Sequence, residues 1–162
     1  MTLGWYTAHM NEPDKKAAAL AFLKSVSAGV LATLSESGQP RARLVYYSCD
    51  DTFNIFFLTF ANTRKAEDLK AHSKAAFVIA DTHLPRTLQI EGDVTNITNS
   101  PADDAVIETL FDHLQMNSKY YAPLARLDRS DVIFYRLTPS WIRFGNFTEG
   151  HTTSETQFDL PT

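Results

Sequence analysis

The sequence predicts a mainly β protein, a closed or nearly closed antiparallel barrel with helices on its flank. Three observations carry that expectation. Residues Thr87 to Ile97 alternate, with Leu88, Ile90, Gly92 and Val94 on one side and Thr87, Gln89, Glu91 and Asp93 on the other, the period of a half-buried strand. About six or seven short runs of β-forming residues are punctuated by Gly, Pro, Asp and Ser, the spacing of hairpin-linked strands. A few segments show helical spacing instead, and that mixture suits a barrel flanked by helices.

Pro13 and Asp14 open the first helix, since proline is tolerated at the first position and an acid is favourable at the positive end of the dipole. Its apolar stripe is Ala19, Leu20, Leu23 and Val26, and Gly29 is expected to end it. Val30 to Leu34 reads as a strand, Ser35 to Pro40 as a turn, and Arg41 to Tyr47 as a second strand. Cys49 to Thr52 turns into Phe53–Phe60, which is apolar on both faces and so expected near the sheet's centre. A helix follows from about Thr63 to His72, capped by Asn62 or Thr63. Ala75 to Ala80 reads as a buried fourth strand. In the alternating fifth, Gly92 marks a bulge or a close approach. Ser100-Pro101-Ala102-Asp103 starts a third helix, with Val106, Ile107, Leu110, Phe111 and Leu114 as its inner stripe. Ile133–Leu137 and Trp141–Phe147 close the sheet, broken at Pro139. Residues 1–149 form one domain in this reading, and 150–162 a polar tail.

The 162 residues, 44% hydrophobic and 21% charged, suffice for one globular core. Eleven Phe and six Tyr suggest an aromatic-lined cavity or interface. A net charge of -4 argues against a nucleic-acid binder. No apolar run approaches the ~18 residues of a membrane span, and the first residues lack the pattern of a signal peptide. With the single Cys49, a cytoplasmic protein is expected. The five histidines show no metal-ligand spacing, so no metal site is expected. Neither a nucleophile elbow nor a P-loop is present.

The chemistry gathers around two segments. Arg41 and Arg43 share one face of their strand. A tight hairpin at Asp50-Asp51 would set Arg43 opposite Leu58 and Arg41 opposite Phe60. The chain then turns directly into a helix beginning Thr63-Arg64-Lys65. Several cations therefore converge where a helix start offers free N–H groups, a ready anion site. A phosphate monoester carries about -1.5 to -2 charges at neutral pH, which two or three cations balance. Thr59 and Thr63 add hydroxyls. The residue types alone leave a second reading open, a solvated basic helix end with both arginines in water.

The stretch Pro40-Arg41-Ala42-Arg43-Leu44-Val45, then Leu58-Thr59 and Asn62-Thr63-Arg64-Lys65-Ala66, resembles the pyridoxamine 5'-phosphate oxidase-like FMN-binding split-barrel proteins. The similarity runs from about Val30 to Val94, with a weaker echo at Tyr135–Pro139. The resemblance implies a split β-barrel in which Arg43, Thr63, Arg64 and Lys65 hold the FMN phosphate. It implies that backbone along Leu44, Val45 and Tyr46 lines the isoalloxazine ring and that Leu58 and Thr59 touch the cofactor. A second subunit would complete the site through Thr87 and Gln89, giving a homodimer with the cofactor at its interface.

The departures concern the substrate side. Where the oxidase has a lysine for its substrate's phosphate, this chain has Ser48. Where it has a flavin-contacting tryptophan, the nearest match is Gly145, and its Arg-x-His pair is replaced by Glu149 and His151. An FMN-binding oxidoreductase other than the oxidase itself, acting on a small molecule, is the resulting expectation. No catalytic acid or base stands out. Arg41 or Arg86 could lie near the flavin's N1 and C2 carbonyl. The competing readings are a carrier or sensor for FMN, a deazaflavin or haem, and a dimer whose site has lost its cofactor.

Overall fold

The computed structural model of the chain describes residues 12–81, 83, 85–116, 131–147 and 154–158. Its strands are β1 (Ala28–Leu34), β2 (Pro40–Tyr46), β3 (Ser48–Cys49), β4 (Ile55–Phe60), β5 (Lys74–Asp81), β6 (Arg86–Asn96), β7 (Val132–Asn146) and β8 (Ser154–Phe158). Three helices flank them, α1 (Glu12–Ser25), α2 (Arg64–Ala71) and α3 (Asp104–Met116), the last preceded by a 3-10 turn at Pro101–Asp103. The strands form one antiparallel sheet in the order β2-β1-β5-β6-β7-β4-β3, with β8 added to β7. The sheet curls into a split barrel, mainly β as expected. Among the described residues no helix is long and apolar enough to cross a membrane.

The inner face holds the main core. Leu31, Phe77, Ile79, Leu88, Ile90 and Leu137 are almost wholly buried, and α1 closes the barrel with Ala19, Phe22 and Leu23. Leu20 and Val26, assigned to that helical stripe from the sequence, pack only partly against the core, and Phe22 takes the deeper place. A second cluster lies outside the sheet, where Ile107 and Leu110 of α3 cover Phe56, Leu58, Val132 and Phe134. The predicted stripe of α3 is thus borne out at Ile107 and Leu110, with Val106 and Phe111 half-buried. The side chain of Leu114 lies outside the described residues.

Several local expectations change. Gly29 does not end α1, which stops at Ser25. It lies within β1 opposite Val45. A Cβ there would sit 2.3 Å from Phe77 Cζ, so the glycine makes room for a core ring. β4 is buried on both faces, as its composition suggests, yet it lies next to the sheet's edge. Its outer face is covered by α3 rather than by central position. β5 buries only one face. Pro139 does not divide the closing strand, because β7 runs unbroken from Val132 to Asn146. The β6–β7 register shifts between Glu91 and Gly92, where Gly92 faces Pro139. A Cβ on Gly92 would lie 2.1 Å from the Thr138 carbonyl oxygen. The bulge therefore accommodates a residue without an N–H, and the sequence reading had its two halves without joining them. Finally, β8 places a strand inside the segment read as a polar tail.

Candidate functional site

The hairpin predicted between the second and third strands forms only at its tip. Ser48 and Cys49 pair with Phe56 and Ile55, while β2 pairs along its whole length with β1. Arg43 consequently faces Leu31, not Leu58, and Arg41 faces Thr33, not Phe60. The short Ser35–Gln39 turn lets β2 satisfy its backbone against β1. The chain then crosses at Tyr47 to the far end of the sheet. β2 and β4 are left side by side without hydrogen-bonding to each other, and this is where the barrel splits.

A cavity of about 240 Å³ occupies the split, lined by Leu44, Val45, Tyr46, Leu58, Thr59, Phe60 and Lys65. Six of the sequence-predicted site residues thus meet in one place. Phe60 joins them unpredicted. Arg43 lies close enough to Lys65 for its charge to act on the amine. Thr87 and Gln89 do not line this cavity. They lie on the outer face of β6, where Gln89 pairs with Val78 and Arg143, and Thr87 with Ala80 and Gly145.

At the head of the cavity α2 begins. Thr63 caps it, its Oγ1 accepting from the Ala66 N–H at 3.3 Å. The same hydroxyl donates to the Phe60 carbonyl at 3.0 Å and lies 2.9 Å from Thr59 Oγ1. A hydroxyl has one proton to give, so Thr63 spends it on the Phe60 carbonyl and Thr59 donates to Thr63. The donors left at this helix start are the backbone N–H groups of its first turn. Two cations accompany them, Arg64 exposed and Lys65 half-buried. Burial first, and then the neighbouring Arg43 charge, push the Lys65 amine down to about 8. Among the described residues no carboxylate is paired with Arg64 or Lys65.

Arg41 and Arg43 do not stand free in water: each is only partly exposed and paired. Arg41 Nη1 lies 2.6 Å from Asp68 Oδ1, and Arg43 Nη2 lies 2.9 Å from Asp68 Oδ2. Arg43 Nη1 also donates to Thr33 Oγ1 at 2.8 Å, and Thr33 passes its own proton to Asp68 Oδ2 at 2.8 Å. Asp68 is 1% exposed. Burial alone would raise its pKa. The hydrogen bonds from Thr33 and Arg43 and the charges of both arginines outweigh it and hold the carboxyl below its usual range. Asp68 and Thr33 escaped the sequence reading. The available signal was the position of Asp68 between the buried Ala66 and Leu69 on the inner face of a short helix.

The remaining candidates lie elsewhere. Arg86 sits over the Phe22 ring, 5.9 Å from its centroid, packed against α1 rather than in the cavity. Ser48 lines a separate, about 390 Å³ hollow with Lys24, Tyr47 and Cys49. Burial pushes the Cys49 thiol up to about 11, which suppresses the reactive thiolate. A side chain at Gly145 would meet the Phe147 ring at 2.9 Å. Glu149 and His151 lie outside the described residues. Among the described residues no three His, Cys, Asp or Glu side chains gather as metal ligands.

Comparison with known proteins agrees with this architecture. The chain is 39% identical over 83 residues to the pyridoxine/pyridoxamine 5'-phosphate oxidase of Thermosynechococcus vestitus, a match spanning 51% of this chain and 39% of that one. It thus spans about two fifths of the length of the curated relatives it matches. Among solved structures, a pyridoxamine 5'-phosphate oxidase-related, FMN binding protein from Nostoc punctiforme superposes with a TM-score of 0.62 at 14% identity, covering 94% of this chain and 98% of that one. A heme binding protein from Mycobacterium smegmatis superposes with a TM-score of 0.67 at 18% identity, covering 91% and 58%. These likenesses show the shared fold. The family model for pyridoxamine 5'-phosphate oxidase matches residues 16–145, most of the sequence, and the chain belongs to that family.

Proposed function

We propose that this protein is a homodimeric, cytoplasmic FMN-binding oxidoreductase acting on a small molecule. In this reading the FMN phosphate lies among Arg43, Thr63, Arg64 and Lys65, and the ring lies in the split between β2 and β4. The observation that carries the reading is Lys65, a cation in the wall of a largely apolar cavity, held near 8 by burial and Arg43, with no carboxylate paired to it among the described residues. An anion with two charges relieves that situation, and the first-turn N–H groups of α2 add donors for it. The apolar walls Leu44, Val45, Leu58 and Phe60 suit a flat ring, and the two strand edges that flank the split suit a ring with polar groups on its rim. When bound, FMN supplies the electron transfer, while the protein supplies position and charge.

The cavity also favours a flavin over haem. Among the described residues that line it none is His, Cys or Met, and only Tyr46 is of a haem-ligating type. A deazaflavin with the same phosphate would fit the same groups. The free thiol of Cys49 is at home in a reducing cytoplasm.

The homodimer is supported by the outer face of β2, β1 and β5. Leu44, Val30 and Val78 stand opposite one another across the three strands and are 64%, 41% and 38% exposed. Ala42, Ala32 and Ala76 form the next row. An apolar sheet face of this kind marks an interaction surface. Leu44 belongs both to this face and to the cavity wall, so the cavity opens onto it. Gln89 continues the Leu44 row. A second copy related by a two-fold axis would then roof the cavity and bring Thr87 and Gln89 toward it.

Titrating FMN into the purified chain, followed by flavin absorbance and fluorescence, tests the reading beside the double variant Arg64→Ala, Lys65→Ala. Saturable binding that the variant loses is the expected result. A native chain that ignores FMN overturns the cofactor assignment. Turnover with a nicotinamide electron donor then separates an oxidoreductase, which reduces its flavin repeatedly, from a carrier, which reduces slowly or not at all.

A further inference from the structure

We propose that Asp68 is a positioning residue for the anion site, its buried carboxylate fixing Arg41 and Arg43 so that Arg43 is presented to a phosphate. The inference rests on the phosphate reading given above and concerns a residue outside the cavity wall. Asp68 stands on α2 one turn beyond Arg64, and each of its oxygens receives a different guanidinium from β2. Thr33 of β1 closes the arrangement by accepting from Arg43 and donating to Asp68. Helix and two strands are therefore locked through one carboxylate.

The bonds leave Arg43 free to act. A guanidinium carries five N–H donors, of which Thr33 and Asp68 take one each, leaving three for a ligand on a side chain whose rotamer is already set. Without the carboxylate, two like charges two residues apart on one strand face would repel each other. Arg41 already has a buried Nε without a partner, so Asp68 is its principal compensation. Four cations, Arg41, Arg43, Arg64 and Lys65, against one carboxylate leave three positive charges. That still exceeds the roughly two charges of a phosphate monoester.

Three roles for Asp68 predict different outcomes. As a bare negative charge it would oppose phosphate, and its removal would tighten binding. As a plain structural clamp, its removal would weaken every ligand alike. As a positioning residue, its removal weakens only ligands that carry the phosphate. Affinities of FMN and of riboflavin, which lacks the phosphate, are measured for the native 162-residue chain, Asp68→Asn and Asp68→Glu. Thermal unfolding is followed with and without inorganic phosphate. The expected result for Asp68→Asn is an FMN affinity lower by on the order of 10- to 100-fold, riboflavin affinity unchanged, and loss of stabilisation by phosphate. Asp68→Glu keeps the charge and displaces it by one methylene, so it shows the same selective loss to a smaller degree. It decides the question if Asp68→Asn does not fold.

Tighter or unchanged FMN binding in Asp68→Asn overturns the proposal, as does an equal fall for both flavins. An unchanged FMN-to-riboflavin ratio in Asp68→Glu overturns it when that variant alone folds. If the native chain binds neither flavin but phosphate stabilises it and not the folded variants, the cofactor reading fails and the positioning role stands. A native chain that responds to neither flavin nor phosphate ends both.

Discussion

Replacing Lys65 by methionine should stabilise the flavin-free protein while abolishing its affinity for FMN. The native chain holds this ammonium in an apolar wall beside Arg43. At pH 7 Lys65 is protonated in the folded and the unfolded chain alike, so the folded chain carries the whole cost of burying the charge. A pKa lowered from 10.5 to about 8 corresponds, at about 1.4 kcal/mol per pH unit, to about 3 kcal/mol. Residual solvent contact of the half-buried amine screens part of this, leaving an expected gain of about 1–2 kcal/mol for Lys65→Met. In a domain of this size each kcal/mol moves Tm by about 2–4 °C, so the variant should melt about 3–6 °C higher.

The pH dependence identifies the cause. As pH rises through about 8 the folded chain releases the Lys65 proton, while the unfolded chain keeps it until about 10.5. Across that window the unfolded state binds more protons, and the native protein gains stability with pH. The advantage of Lys65→Met therefore shrinks between pH 8 and 10.5 and is gone above it. Urea or thermal unfolding followed by circular dichroism at several pH values measures this directly. With saturating FMN the order reverses, because only the native chain is stabilised by the ligand. A Lys65→Met chain less stable than native at pH 7, or a difference that does not change with pH, would refute the reasoning.

Further expectations concern the ligand, the bulge and the outer face. FMN affinity should stay level from pH 7 to about 8 and then fall by up to about tenfold per pH unit, since the phosphate is already a dianion and Lys65 is losing its proton. An affinity still level at pH 9.5 would remove Lys65 from the phosphate site. Gly92→Ala drives a methyl into the Thr138 carbonyl oxygen at the bulge. It should cost about 2–3 kcal/mol, readable as a Tm lower by about 5–10 °C. Val78→Arg adds a charge to an exposed site on the apolar outer face. It should convert a dimer to a monomer in light scattering, lower Tm by whatever the association contributes, and weaken FMN binding at least tenfold through loss of the roofing copy. A monomeric native chain that binds FMN fully would overturn the shared site.

What could be read from the sequence was local. The strand period of β6 and the Thr63 cap of α2 depend on neighbours a few positions away, and both appear where those patterns place them. Gly92 was legible as a bulge because a glycine inside a strand pattern has few other uses. Pro139 was not, since its tolerance in β7 comes from facing that bulge from nearly fifty residues away. Gly29 misled for the same reason. A glycine after a helical stripe reads as a stop, and only the Phe77 ring explains it as part of a strand.

The site divides along the same line. Arg43, Arg64 and Lys65 were legible because cations beside a helix start suggest an anion in any fold. Asp68 was not, because an acid on a charged helix reads as a solvated face until β1 and β2 are seen to bury it. The mistaken register is the more telling case. A full hairpin between β2 and β4 would have hydrogen-bonded both strands and closed the barrel, leaving no room between them. Pairing β2 with β1 instead leaves the edges of β2 and β4 facing each other. The cavity lies in that gap, with the start of α2 at its head. The sequence motif supplies the charges. The failure of two adjacent strands to pair supplies the space those charges guard.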